Sequence, residues 1–139
     1  MNQSLIFIPC FTLIIITYAI ILTMFFKRKK AILNGKIDFR HFKTYDFSNE
    51  VPKELRQIER HVTNLFEAPL IFYIVCLFGL VLRGVDCTFL TLAWSYVGIR
   101  LVHTFIHLTS NKILIRAGAY GLSWLVIIIM GIKLTINIL

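Results

Sequence analysis

Hydropathy along the chain falls into four long apolar blocks separated by polar stretches. The first runs from Ser4 to Phe26 and ends at Lys27, Arg28, Lys29 and Lys30. At roughly 23 residues it exceeds the about 20 needed to cross the hydrocarbon core of a bilayer, so it predicts a membrane-spanning helix over 4–26. The polar loop 27–51 carries spaced aromatics, Phe39, Phe42, Tyr45 and Phe47, suited to a membrane interface. Ser48 or Asn49 is a candidate helix cap, Pro52 fits a first turn, and Leu55, Ile58, Val62 and Leu65 then recur at helical spacing. This pattern passes without a break into an apolar run ending at Leu82. The second helix is expected to start in water near 52 and to span the membrane over 63–83, about 30 residues and roughly 45 Å in all. Residues 83–86 form a tight turn into a third span over 88–108, and Thr109-Ser110-Asn111 is read as a turn and N-cap before a fourth span over 112–137. The expected fold is all-α: one membrane domain over 1–139, a bundle of four transmembrane helices with up-down topology.

Composition agrees, since 58% of the 139 residues are hydrophobic and only 16% charged, far from the balance of a water-soluble domain. The net charge of +8 raises the question of nucleic acid, and its distribution answers it. Ten of the fifteen Lys and Arg lie between Lys27 and Arg60, mixed with Asp38, Asp46, Glu50, Glu54 and Glu59. Such a segment sets topology and attracts anionic headgroups; no nucleic-acid partner is expected. With the positive loops facing the cytoplasm, both termini face away from it, in a bacterial inner membrane or an organellar one. The first span lacks the basic start and cleavage site of a signal peptide and is read as retained. Cys10, Cys76 and Cys87 give no disulfide framework and read as small hydrophobes.

Charged groups inside spans cost at least a few kcal/mol each and need a partner or a purpose. Arg60, Asn64 and Glu67 share one face of helix two; Arg100, His103 and His107 share one face of helix three; Arg116 and Tyr120 lie one turn apart on helix four. Glu67 and Arg100 fall at similar depth and are expected to form a buried structural ion pair. Arg60, His103, Arg116 and Tyr120 are then left to form an electropositive pocket near the cytoplasmic interface, suited to an anion. Arg116 is the most telling member, because the N-terminus of its helix adds to its charge and a thiol bound there becomes a thiolate. His103 and His107 have no further ligand at metal-binding spacing, so no metal is expected. Pro69 interrupts the helix ladder near the cluster, and Ala117, Gly118 and Gly121 offer a small face for close helix packing.

Three stretches carry a resemblance. The run Glu59-Arg-His-Val-Thr-Asn-Leu-Phe-Glu-Ala-Pro69 resembles the Arg-x-x-x-Asn-x-x-Glu signature of the MAPEG family, membrane-associated proteins in eicosanoid and glutathione metabolism. The runs Val97–Thr104 and Ile115–Tyr120 resemble that family's second and third signatures. The resemblance implies a homotrimer of four-helix subunits that binds glutathione between neighbours in a pocket open to the cytoplasm. Carried over by position, Arg60, Asn64, Glu67, His103 and Tyr120 contact glutathione, His107 stands at a further binding position, and Lys27 or Arg28 reaches its carboxylates. Arg116 stabilises the thiolate, which attacks an electrophilic or peroxidic hydrophobic substrate arriving from the bilayer.

Three positions depart from the family's prostaglandin synthase branch: Thr63 replaces a second arginine, His107 a tyrosine, and Ala117 a serine proposed to act on the thiol. The reading that follows is a membrane-bound glutathione transferase or peroxidase-like enzyme. A non-catalytic lipid- or glutathione-binding protein of the same fold is the alternative. A small four-helix transporter coupling through Glu67 is less favoured, because a coupling acid must be free to titrate.

Overall fold

The computed structural model describes residues 2–44 and 51–139. The expected cap at Ser48 or Asn49, and the interfacial Tyr45 and Phe47, lie outside the described residues. A short 3-10 turn, Gln3–Ile6, leads into α1 (Phe7–Leu33); α2 (His41–Thr44) is a single turn; α3 (Lys53–Val81), α4 (Cys87–Leu108) and α5 (Ile113–Ile138) follow. Of the described residues 84% are helical, and among them four helices are long and apolar enough to cross a membrane.

The helix ends follow local chemistry. α1 continues through Lys27–Lys30 to Leu33, seven residues beyond the end expected at Phe26, because Lys and Arg halt insertion but are good helix formers. Gly35, at φ +66°, stops it. α3 starts immediately after Pro52, which stands at the N-cap, and runs through Pro69 to Val81 as one element. Asp86 caps α4, its Oδ1 accepting from the Phe89 N–H at 2.7 Å. The expected Asn111 cap of α5 is not formed. Lys112 occupies the N-cap without a side-chain bond, while Asn111 adopts a left-handed turn at φ +47°, a conformation that Asn tolerates better than other non-glycine residues.

α4 packs most extensively on α5, and α1 on α3, with α3 also touching α4 and α5. At one end the Gln3 amide clamps the α3–α4 turn, donating to the Val85 carbonyl and accepting from its N–H at 3.0 and 2.9 Å. Lys133 of α5 pairs with Asp86 there at 2.7 Å. The end of α1, the start of α3 and the α4–α5 turn therefore share the opposite end, which gathers Lys27–Lys30, Lys36, Lys53, Arg56, Arg60, Lys112 and Arg116.

In lipid the apolar tails outside are as oily as the core, so close packing has to hold the bundle. Along α3, Ala68, Phe72, Cys76 and Gly79 form the buried stripe, against Phe89, Ala93 and Tyr96 of α4 and Leu13 of α1. The Phe72 and Tyr96 rings stack at 4.2 Å. Gly79 is required because a Cβ there would lie 2.8 Å from the Phe89 ring. Large apolar side chains face outward on all four long helices, among them Phe11, Phe78, Phe105 and Leu114. That inversion of a soluble bundle suits acyl chains. The small face of α5 packs on nothing among the described residues: Ala117, Gly118 and Gly121 are exposed, and nothing lies within 4 Å of a Cβ placed on either glycine.

Candidate functional site

At the basic end, the first two turns of α3 place Lys53, Arg56 and Arg60 at i, i+3 and i+7, one helical face. Across from them stand the last turn of α4 and the first of α5. Lys53, Arg56, Gln57, Arg60, His107, Asn111 and Arg116 line a cavity of about 300 Å³ that contains four permanent cations and, among the described residues, no carboxylate. Gln57 fastens its walls together, its Nε2 donating to the His107 carbonyl.

Arg116 is fixed from two sides. Its Nη1 donates to Asn111 Oδ1 at 2.7 Å and approaches His107 Nε2 at 3.4 Å. An arginine can only donate, so His107 accepts through Nε2 and carries its hydrogen on Nδ1. That Nδ1 is buried without a hydrogen-bond partner. The left-handed turn at Asn111 thus does more than connect α4 to α5: it aims a side-chain oxygen back at the catalytic candidate.

Beneath the cavity lies a buried cluster. His61, His103 and His107 are no more than 1% exposed, with ring centroids 4.7 to 5.7 Å apart. His61 Nε2 meets Thr104 Oγ1 at 3.1 Å. Among the described residues no three His, Cys, Asp or Glu side chains are arranged to hold a metal ion. Arg100, 1% exposed, sits deeper, its Nη2 donating to the Asn64 carbonyl at 3.0 Å and its guanidinium 5.9 Å from the Tyr120 ring.

The expected Glu67–Arg100 ion pair is not formed in the chain. Among the described residues the ion pairs are Arg28–Glu59 and Lys133–Asp86. The reason is facial: Arg100 belongs to the buried face of α4, whereas Glu67 is exposed on α3 and accepts a hydrogen bond from Tyr120 Oη at 3.1 Å. Similar depth on two helices did not mean a shared direction. Arg28 is also apart from the cavity, bonded to Glu59 at 2.9 Å and resting 5.0 Å from the Phe42 ring.

Of the residues singled out from sequence, the fold therefore brings Arg60, His107 and Arg116 into one cavity and joins Glu67 to Tyr120 beside it. His103 and Asn64 support it from within, His103 through ring packing on Tyr120 at 5.9 Å and Asn64 through its carbonyl. Lys53, Arg56, Gln57 and His61 had not been singled out. The helical spacing of Lys53, Arg56 and Arg60 was the signal available for two of them.

The family model of the MAPEG family matches residues 6–136, nearly the whole chain. The chain belongs to the MAPEG family. It is an integral, multi-pass membrane protein of a family that includes glutathione transferases and related proteins. No curated protein and no solved structure matches it.

Proposed function

We propose that this MAPEG protein is a membrane-bound glutathione transferase or peroxidase-like enzyme that activates the glutathione thiol at Arg116. The observation that carries this reading is the cavity, free of acids among the described residues, in which Arg116 is held by Asn111 and faced by Arg60. Cations without counter-charges favour a tripeptide with two carboxylates, and a guanidinium beside the thiol lowers its pKa. Deprotonation breaks the S–H bond and sends the proton to water at the cavity mouth. The thiolate then forms a C–S bond with an electrophilic carbon while the leaving group departs with its electrons, or it attacks a hydroperoxide oxygen, forming an S–O bond and a sulfenic acid as the O–O bond breaks and the departing alkoxide takes a proton from water.

Two further features support the reading. An apolar groove of about 360 Å³ between α1 and α3 includes Phe66 and Leu70, which bracket Glu67, and offers a hydrophobic substrate a route from lipid. Glu67 itself lies about four residues inside the span expected over 63–83, roughly 6 Å past its polar end, yet is exposed. An exposed carboxylate at that depth calls for a covering surface other than lipid. Together with the free small face of α5, it favours self-association, with a homotrimer as the family's arrangement and the basic end toward the cytoplasm.

Purified protein in detergent should conjugate glutathione to a neutral nitroaryl chloride, and Arg116→Ala should cut the rate on the order of a hundredfold, as loss of one preorganised donor does. A wild-type rate no higher than the spontaneous reaction sinks the enzyme reading and leaves a binding protein.

A further inference from the structure

The end of α1 builds a second basic cavity, also of about 300 Å³, whose lining includes Lys27, Lys30, Asn34, Lys36, Glu54 and Leu55. Lys27, Lys30 and Asn34 recur at i, i+3 and i+7 and so share one face of the helix end. Lys36 arrives there by a different route. The Gly35 turn, at φ +66°, lets the Lys36 N–H bond back to the Ala31 carbonyl at 3.0 Å and the Gly35 N–H to the Ile32 carbonyl at 2.9 Å. This cap folds the chain onto the last turn of α1 and adds the third ammonium group to the first two.

The scaffold beneath is packed, with Ala31, Ile37, Leu55 and Ile58 forming a buried cluster. The three lysines make no ion pair with any described carboxylate, whereas their neighbour Arg28 is neutralised by Glu59. Glu54 is the one acid among the described lining residues, so positive charge remains in excess there. The negative pole of a helix C-terminus attracts cations only within its last turn. It does not account for Lys27, two turns earlier, or for Lys36, beyond the helix.

Position names the ligand class. Phe25, Phe26, Leu33 and Phe39 are 58 to 75% exposed around this helix end, which places it where acyl chains meet headgroups. We infer that the Lys27–Lys30–Lys36 cavity binds the phosphate of an anionic phospholipid of the surrounding leaflet, independently of any chemistry at Arg116. Zwitterionic phosphatidylcholine offers the same phosphate but brings a quaternary ammonium against the lysines.

Native mass spectrometry of the protein in neutral detergent, titrated with phosphatidylglycerol or phosphatidylcholine, tests this. The protein should retain phosphatidylglycerol selectively. Each lysine near an anionic lipid is worth roughly fivefold, so Lys27→Gln/Lys30→Gln/Lys36→Gln should weaken binding about a hundredfold and Lys36→Gln alone about fivefold. A charge-matched control, Lys29→Gln/Arg83→Gln/Lys112→Gln, takes its residues from outside the cavity and should change binding less than about threefold. Helical circular dichroism identifies any variant that fails to fold, in which case Lys36→Gln alone decides. Equal retention of phosphatidylcholine, an equal loss in the control, an unchanged Lys36→Gln, or displacement of the lipid by millimolar inorganic phosphate overturns the inference. The last of these reassigns the cavity to a free anion.

Discussion

Replacing Asn111 by glycine removes one atom group that matters and little else. The left-handed turn at φ +47° is kept, because glycine has no Cβ to oppose it. The backbone bond from the Asn111 N–H to the Ile106 carbonyl, 2.8 Å, is kept as well. What is lost is the 2.7 Å acceptor that holds Arg116 Nη1. Hydrogen bonds to charged groups contribute about 1.5–3 kcal/mol, and Arg116 is only half-buried, so the lower end applies. If that bond orients Arg116 toward the thiol, about 1.4 kcal/mol of lost thiolate stabilisation corresponds to about one pKa unit. The acid limb of the kcat profile, which reports the thiol in the glutathione complex, should then move up by about one pH unit. Asn111→Ala should show the same kinetic shift and also lose about 1–2 kcal/mol of stability, because alanine resists the left-handed conformation. A superimposable pH profile for Asn111→Gly refutes the claim that this side chain positions Arg116.

Two further outcomes test the fold. Gly79→Ala drives a methyl to 2.8 Å from the fully buried Phe89 ring and should cost about 1–3 kcal/mol, read as a fall in melting temperature that the compensating Phe89→Leu relieves. Lys133, and then the Phe89 N–H, hold the Asp86 carboxyl below the usual carboxylate range. A depressed folded pKa contributes stability above the unfolded value, about 3.9, and loses it as pH falls through the folded one. Asp86→Ala should therefore be about 1 kcal/mol less stable than wild type at neutral pH, a gap that narrows as pH falls through the folded value and that thermal melts across pH will show; a gap that does not change with pH contradicts the assignment.

The four spans were legible because apolar length is a one-dimensional property that lipid reads directly. Helix extent was less so: the Lys27–Lys30 cluster marks where the apolar block ends, but nothing in it ends a helix, and α1 stops only at Gly35. Within a helix, spacing alone fixes which residues share a face, as for Arg60, Asn64 and Glu67. Between helices it did not, because rotation about each axis is set by packing. Arg100 turns inward with Tyr96 and His103 while Glu67 turns outward to Tyr120. Asn111 shows a third limit, since the same residue type suits an N-cap and a left-handed turn, and only the bond to Arg116 tells which is used.

The most direct test of the account is the ultraviolet difference spectrum of glutathione added to the purified protein at neutral pH. The account predicts a thiolate absorption band with wild type that is absent with Arg116→Ala and weaker with Asn111→Gly. An Arg116→Ala spectrum indistinguishable from wild type contradicts it.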